Sequence, residues 1–322
     1  MERDFNMLDL VIIGAGPVGL YAAHLAALHN LSGVVLEARD NFGGQLSNLY
    51  PQKDIIDLPG FSRITAQGFI DNLSKQIDSR ENHLKVELME SVTNFEKIDG
   101  GYKIVTLNNN IYEAKCILLV TGMGTFTPRK IGLPNEGQFK NIAYAVKNKE
   151  IYKNKKVVVL GGGDSAVDLT LMLNPLVSDI SIVHRRDEFR AQASVVDELK
   201  ASKAHIYTPF NVTKLIGNSD VLTAIEITNN VNSEVKTIEL DNLIVNFGLI
   251  PGVNKFNVEK KGPNILVKDS YQTSLENVFA IGNCINYPGK VKNITCGLGE
   301  AVVAITKIDQ ILNPNKNIPV HF

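Results

Sequence analysis

The chain has 322 residues, of which 44% are hydrophobic, and its formal net charge is −1. This length favours two domains with sizeable cores, and the near-zero charge argues against a dedicated nucleic-acid-binding protein, which would carry a basic excess. The three widely spaced cysteines form neither C-x-x-C nor a zinc-ligand spacing, which indicates a reducing compartment. The apolar N-terminal run is too short for a signal peptide or a membrane span, so we expect a cytoplasmic protein that does not bind membranes.

The first predicted element is a β-strand that leads through a glycine-rich turn into a helix. The apolar run Leu10–Ile13 is followed by the turn residues Gly14, Gly16, Pro17 and Gly19, and then by an alanine-rich helical pattern. In a dinucleotide-binding turn the first glycine permits the tight turn, the second lets a pyrophosphate approach the backbone, and the third lets helix and strand pack closely. Amides at the helix N-terminus then hold the phosphates.

An acidic residue ends the next predicted strand. Glu37 follows Gly14 by 23 residues, at the position where a carboxylate accepts hydrogen bonds from an adenosine ribose. The first turn is therefore predicted to bind a nucleotide without a 2′-phosphate, most simply FAD. Residues 84–120 then alternate in a strand-rich pattern that predicts a small antiparallel insertion, and the Gly- and Thr-rich run 121–131 is predicted to cross into a second domain.

A second copy of the same strand, turn and helix begins at residue 157. It consists of Val157–Leu160 and the turn residues Gly161, Gly163, Asp164 and Ser165, before another helical pattern. One G-x-G-x-x-G motif is a weak signal, but two copies, each between a β-branched run and a helix, strongly indicate two nucleotide sites.

A basic cluster follows the next predicted strand. It consists of His184, Arg185, Arg186 and Arg190. His184 lies 23 residues after Gly161, the interval at which the first copy carries its acid. A 2′-phosphate is repelled by a carboxylate and attracted by cations, and each charge-assisted contact is worth roughly 1.5–3 kcal/mol. The second turn is therefore predicted to bind NADPH, and the alternative is a solvated basic start of a helix.

The remaining elements are predicted to complete the first domain. Residues 204–246 form a second predicted meander, and the strand Val278–Ile281 and the helix Gly297–Leu312 would return to the first sheet. We predict an α/β fold with two Rossmann-like, three-layer nucleotide-binding domains. The FAD domain would span 1–120 and 247–322, with the NADPH domain 121–246 inserted between these parts.

With these motifs in place, the chain resembles the thioredoxin reductase-like flavoproteins of the pyridine nucleotide-disulfide oxidoreductase superfamily. More narrowly, it is similar to their bacterial type 2 ferredoxin–NADP reductase branch. The similar segments extend over nearly the whole chain and include NFGGQLSNLYPQKDIIDLPGF, TGMGTF, GGGDSAVDLTLMLNP, HRRDEFRA, DNLIVNFGL and FAIGN. The resemblance implies a homodimeric FAD enzyme that moves electrons between NADPH and a one-electron carrier, ferredoxin or flavodoxin.

The resemblance also implies individual contacts to FAD. They would come from Gly14, Gly16, Gly19, Glu37, Gln45, Tyr50, Val92, Phe126 and Asn283. Tyr50 is similar to the aromatic residue that stacks on the isoalloxazine, and the alternative is a turn tyrosine before Pro51. The implied mechanism is hydride transfer from nicotinamide to FAD and then single-electron transfer to the carrier. It needs no catalytic side chain and no metal.

Two positions depart from the family pattern. Asn283 stands where the family usually has Asp; its amide still offers an acceptor and donors to the ribityl chain, but we expect the flavin potential to shift. The family's C-terminal extension, which covers the other face of the flavin, is matched only at its beginning by His321 and Phe322. His321 is therefore a possible cover, and a more accessible flavin is expected.

The path by which electrons leave is predicted from the cysteines. Thioredoxin reductase needs a C-x-x-C dithiol, and the corresponding segment here, NIAYAVKNKE, contains no cysteine. Cys284 and Cys296 are interpreted as small buried residues, so electrons are expected to leave directly from the flavin. Two alternatives stay open: an NADPH-dependent flavoenzyme of the same fold that reduces a quinone or a small disulfide, and a non-catalytic FAD/NADPH redox sensor.

Overall fold

The computed structural model describes residues 7–79, 84–124, 127–250 and 256–316. Within these residues the α-helices are α1 Pro17–Leu28, α2 Gln45–Leu49, α3 Ala66–Asp78, α4 Asp164–Leu173, α5 Ala193–Ala201 and α6 Ile294–Leu312. Short 3₁₀ turns occur at Glu136–Gln138, Lys149–Tyr152, Asp269–Tyr271 and Gly282–Cys284. No described helix combines the length and the apolar composition that crossing a bilayer requires.

The described strands form a large mixed sheet, a large parallel sheet and several smaller antiparallel sheets. They are β1 Leu8–Ile13, β2 Gly33–Leu36, β3 Asp54–Ile55, β4 Ile64–Thr65, β5 Lys85–Glu87, β6 Val92–Ile98, β7 Gly101–Thr106, β8 Ile111–Leu119, β9 Thr127–Pro128, β10 Ile142–Ala143, β11 Lys156–Leu160, β12 Asp179–Val183, β13 His205–Tyr207, β14 Phe210–Asn218, β15 Val221–Asn229, β16 Val235–Glu239, β17 Asn242–Val245, β18 Leu249–Ile250, β19 Lys260–Lys261, β20 Asn264–Ile265 and β21 Val278–Ala280. The α/β class predicted from the sequence is confirmed.

The described residues divide into two compact units. Unit 1 consists of the described residues within Met1–Asn48, Asp54–Thr125 and Pro251–Phe322. Unit 2 consists of the described residues within Leu49–Lys53 and Phe126–Ile250. The short segment 49–53 therefore clusters with unit 2, although the domain boundaries drawn from the sequence put it in the first domain.

Unit 1 is built around a sheet whose parallel strands lie in the order β5-β2-β1-β8, with β21 beside the C-terminal half of β8. The antiparallel strands β7 and β6 continue from the N-terminal half of β8. Successive side chains of a strand point to opposite faces. Val11 and Ile13 accordingly join one buried cluster with Phe95 and Phe256, while α1 packs against α3 and α6.

Unit 2 has three layers. Its parallel strands lie in the order β10-β17-β11-β12-β13, and β14-β15-β16 form a separate antiparallel sheet. Val157 and Val159 of β11 pack in one cluster with residues of α4 and α5. Val158 and Leu160 face the opposite way, into a cluster with residues of the antiparallel sheet. The predicted meander at 204–246 is thus only partly antiparallel, because its first strand β13 and last strand β17 join the parallel sheet.

Candidate nucleotide-binding sites

The first glycine turn combines two crowded positions with one open position. An ideal Cβ on Gly14, where φ is +112°, would lie 2.5 Å from the carbonyl oxygen of Val120. One on Gly19 would lie 2.0 Å from the carbonyl oxygen of Gly14. At Gly16 nothing lies within 4 Å of such an atom. Gly14 and Gly19 are therefore needed for packing, and the open space at Gly16, just before α1, fits the approach of a pyrophosphate.

Glu37 reaches back from the end of β2 to this turn. Its Oε2 accepts a hydrogen bond of 2.8 Å from the amide of Ala15, and its Oε1 accepts one of 3.1 Å from the amide of Arg39. The residue is buried. A fixed carboxylate beside the turn fits a ribose with free hydroxyl groups and disfavours a 2′-phosphate.

Two further FAD candidates lie beside these groups. Gln45 begins α2 directly after Gly44, and an ideal Cβ on Gly44 would lie 3.2 Å from Cα of Gly16. Val92 begins β6, and the chain just before it is tied to the end of β2 by a hydrogen bond of 2.8 Å from the amide of Glu90 to the carbonyl of Glu37.

Asn283 comes to the same side of unit 1 from the late strand. It lies in the turn Gly282–Cys284 that follows β21. An ideal Cβ on Gly282 would be 3.9 Å from the side chains of Val18 in α1 and of Val120 at the end of β8. The structure therefore brings Asn283 close to the first glycine turn.

Of the three ring-bearing candidates for FAD contacts, the structure describes only Tyr50, and Tyr50 does not lie in unit 1. Tyr50 lies in the segment that clusters with unit 2; its carbonyl accepts a 3.0 Å hydrogen bond from the amide of Lys53, as in a turn. The ammonium of Lys53 is 5.6 Å from the centre of the Tyr50 ring, and burial raises the pKa of Tyr50. Phe126 and His321 lie outside the described residues.

The second glycine turn repeats the crowded and open positions of the first. An ideal Cβ on Gly161, where φ is +143°, would lie 2.4 Å from the carbonyl oxygen of Asn246, whereas nothing lies within 4 Å at Gly163. Asp164 begins α4, and its Oδ1 accepts a 3.1 Å hydrogen bond from the amide of Gln192. Ser165 is the next residue of the helix. This geometry also fits a pyrophosphate at a helix N-terminus.

The basic segment, residues 184–190, carries the basic cluster and lies along this second turn. The amide of Arg190 donates a 2.6 Å hydrogen bond to the carbonyl of Gly162, which holds the segment against the glycines. Arg185, Arg186 and Arg190 are exposed, and within the described part of the chain no carboxylate forms an ion pair with any of them. Their guanidinium groups are therefore available to an added anion.

His184 is placed differently from the arginines. It is buried, and its ring stacks on Phe189 with the ring centres 5.5 Å apart. Burial, together with the nearby arginine charges, lowers the pKa of His184, so the ring is neutral at neutral pH. The exposed arginines are therefore the cations of this cluster, and the buried His184 ring lies beneath the turn.

The cysteines are single thiols. Cys116 and Cys284 are buried and Cys296 is partly buried, and none forms a disulfide. Burial, with a smaller effect of Asp9, raises the pKa of Cys116 to about 12, and burial raises the pKa of Cys284 to about 11. Neither thiol is poised to act as a nucleophile.

Sequence reasoning missed two features of unit 1. The first is the pair Gly43 and Gly44, where the amide of Gly43 donates a 2.7 Å hydrogen bond to the carbonyl of Ala15. The second is the buried Glu300 of α6. The available signals were the GG before Gln45 and an acidic residue, Glu300, within an apolar helical pattern.

The chain is similar to known proteins over its whole length. The family described as pyridine nucleotide-disulphide oxidoreductase matches residues 8–306. Two proteins named ferredoxin–NADP reductase 2 are 38% identical (Bacillus licheniformis) and 37% identical (Bacillus subtilis strain 168), each over 100% of this chain and 98% of the relative.

Solved structures give the same picture of the fold. The T. acidophilum thioredoxin reductase has a TM-score of 0.83 at 24% identity and covers 95% of this chain and 98% of its own. The Staphylococcus aureus bacillithiol disulfide reductase has a TM-score of 0.76 at 18% identity, over 96% of this chain and 99% of its own. At these identities the similarity shows the two-domain Rossmann fold alone.

Proposed function

The chain belongs to the pyridine nucleotide-disulphide oxidoreductase family, and from this membership we propose that it transfers electrons between NADPH and ferredoxin or flavodoxin. It is a flavoprotein oxidoreductase that uses FAD and NADPH. The observation that carries the proposal is the contrast between the two glycine turns: a fixed carboxylate, Glu37, lies beside the first, and the exposed arginines of the basic segment lie beside the second.

We propose that the first turn and its neighbours hold FAD. Gly16, Pro17 and the following amides of α1 would bind the pyrophosphate, and Glu37 would accept hydrogen bonds from the adenosine ribose. Gln45, Val92 and Asn283 would complete the contacts from unit 1. Tyr50, Phe126 and His321 stay proposed contacts to the flavin ring. Bound FAD supplies the chemistry that lets a two-electron donor serve a one-electron acceptor.

We propose that the second turn holds NADPH. Gly161, Gly163, Asp164 and Ser165 would border the pyrophosphate, while Arg185, Arg186 and Arg190 would bind the 2′-phosphate. In this proposal the FAD domain comprises 1–120 and 247–322, and the NADPH domain comprises 121–246.

The choice of acceptor rests on the relatives and on the thiols. Both relatives are named for ferredoxin, and the sequence has no C-x-x-C through which a dithiol could pass electrons on. Burial and the raised pKa of Cys116 and Cys284 support direct exit from the flavin. From the resemblance and the low cysteine content, a cytoplasmic homodimer is part of the proposal.

The test is NADPH-dependent reduction of cytochrome c by purified protein, measured with and without ferredoxin or flavodoxin. The proposal predicts a rate at least tenfold higher with one of the carriers. Rapid turnover of quinones or small disulfides without a carrier would favour the second candidate function. Bound flavin that NADPH does not reduce would favour a redox sensor and contradict electron transfer.

A further inference from the structure

A buried ion pair lies directly behind the turn that carries Asn283. The side chains of Lys290 and Glu300 are 0% and 2% exposed, and the ammonium of Lys290 contacts Oε1 of Glu300. The hydroxyl of Tyr287 donates a 2.8 Å hydrogen bond to the same Oε1. The other carboxylate oxygen, Oε2, accepts a 2.7 Å hydrogen bond from the amide of Gly282.

Each oxygen of Glu300 thus has a separate task. Lys290 and Tyr287 hold Oε1, which leaves Oε2 oriented toward the backbone of Gly282. Gly282 adopts φ +77°, in the left-handed region. Glycine populates several backbone conformations about equally, so a contact from outside the turn is needed to select this one. Because Glu300 belongs to α6 and Gly282 follows β21, the carboxylate fixes the turn to the long helix that packs on α1.

A buried ion pair is a costly way to provide stability alone, because both charges lose their hydration and well-packed apolar residues often serve as well. An apolar side chain at position 300 could not, however, satisfy the amide of Gly282. We therefore infer that the main role of the polar cluster is to orient the Gly282 peptide group, and not to stabilise the fold in general.

We propose that Glu300, held by Lys290 and Tyr287, is a positioning residue for FAD: it fixes the Gly282 amide and thereby the orientation of Asn283 toward the cofactor. This inference rests on the proposed function, in which Asn283 contacts FAD. Glu300 would act on the cofactor only through the Gly282 amide that it holds, so its role is to position and not to catalyse.

The test compares FAD binding by the apoprotein of Glu300→Gln with that of the double variant Glu300→Gln/Lys290→Met. In the single variant the amide oxygen of Gln is drawn to the charged Lys290, which turns its NH₂ group toward the Gly282 amide. In the double variant no cation remains, so the oxygen can accept from Gly282 again. We expect the FAD Kd to rise at least tenfold in the single variant, with a shifted flavin midpoint potential. In the double variant the FAD Kd should return to within threefold of the wild-type Kd, and the flavin midpoint potential should return close to the wild-type potential.

Asp309→Asn is the matched control. Asp309 lies in the same helix and its side chain is 0% exposed, but its partners are His29, Asn313 and Lys316. This variant should lower the melting temperature and leave the FAD Kd unchanged. An FAD Kd within twofold of wild type together with an unchanged flavin potential in Glu300→Gln would overturn the inference, as would an equal loss of FAD affinity in Asp309→Asn.

Tyr287→Phe covers the case in which Glu300→Gln does not fold. It removes one donor to Oε1 and keeps the ring, and it should weaken FAD binding about threefold; unchanged binding would overturn the inference. Wild-type protein that does not bind FAD would instead contradict the proposed function, so the two failures are distinguishable.

Discussion

Gly162 lies directly against the ring of His184: an ideal Cβ on Gly162 would be 2.3 Å from Cγ of the imidazole. The ring cannot easily give way, because it is buried and stacked on Phe189. The amide of Arg190 is bonded to the carbonyl of Gly162. The glycine, the histidine and the basic segment therefore form one packed arrangement at the proposed NADPH site.

This packing predicts that a change at His184 can rescue NADP⁺ binding in a Gly162 variant. Gly162→Ala should raise the Kd for NADP⁺ at least tenfold, because the added methyl group displaces the ring and the arginines attached to its segment. Adding His184→Ala should restore part of the affinity by removing the clash, as isothermal titration calorimetry of FAD-loaded protein would measure.

Gly163→Ala provides the control for that rescue. Nothing lies within 4 Å of an ideal Cβ at Gly163, so this variant obstructs only the space assigned to the phosphates. It should also weaken NADP⁺ binding, but His184→Ala should not restore it. Equal rescue of both alanine variants would contradict the role given to His184.

The arginines should determine the choice of nicotinamide nucleotide. Arg185→Ala combined with Arg186→Ala should raise the KM for NADPH tenfold or more, because each lost charge-assisted contact is worth roughly 1.5–3 kcal/mol and about 1.4 kcal/mol corresponds to a factor of ten. The KM for NADH should hardly change. Steady-state kinetics with both nucleotides measures the difference, and Lys214→Ala, an exposed cation of the same unit, is the control. A similar loss with both nucleotides would refute the 2′-phosphate assignment.

Glu37 should determine retention of FAD. Glu37→Ala leaves the amide of Ala15 without its acceptor and removes the proposed acceptor for the ribose, so FAD should bind at least tenfold more weakly. Glu37→Gln keeps one acceptor oxygen and should show a smaller loss. The flavin-to-protein ratio after gel filtration measures both variants, with NADP⁺ affinity as the internal control. Full flavin content in Glu37→Ala would argue against this site.

Because of Asp309, the stability of unit 1 should depend on pH in the acid range. Burial raises the pKa of this carboxyl, but hydrogen bonds from His29, Asn313 and Lys316 outweigh burial and hold the pKa below its ordinary value. The folded protein therefore binds this proton less tightly than the unfolded chain does. The stabilisation is present above the unfolded pKa of about 4 and is lost as the pH falls through the lower folded value.

Asp309→Asn should cost about 1–3 kcal/mol near neutral pH, because it removes the charge-assisted hydrogen bonds of a buried carboxylate. The difference from wild type should shrink as the pH falls below about 4. Melting temperatures between pH 3 and pH 7 measure this, and Glu276→Gln, which removes an exposed ion pair with Lys97, should have little effect. A difference that does not change with pH would show that the charge of Asp309 is unimportant.

The sequence was sufficient for features that depend on local chemistry. The glycine turns and the acid at Glu37 follow motifs in which each residue has a defined role, so the predicted strands Leu10–Ile13 and Val157–Leu160 agree closely with β1 and β11, and a helix follows each turn as predicted. The helix α6 begins at Ile294 rather than at the predicted Gly297 because the side chain of Asn293 caps it, accepting a 2.8 Å hydrogen bond from the amide of Cys296.

Features that depend on tertiary contacts could not be predicted. The sequence places His184 with three arginines, and only the fold shows that its ring turns inward against Gly162. Likewise, nothing local to Lys290 and Glu300 indicates that they pair. Tyr50 illustrates the same limit, because its clustering with unit 2 depends on contacts made by the segment 49–53.

The most direct test of the central claim is anaerobic stopped-flow mixing of the FAD-loaded protein with NADPH or NADH, followed by mixing with ferredoxin or flavodoxin. The arginine contacts proposed for the 2′-phosphate, each worth roughly 1.5–3 kcal/mol, predict that NADPH bleaches the flavin absorbance at least about a hundredfold more efficiently than NADH, and that a carrier then restores it. Equal efficiency with NADH, or a bleached flavin that neither carrier reoxidises, would contradict the account.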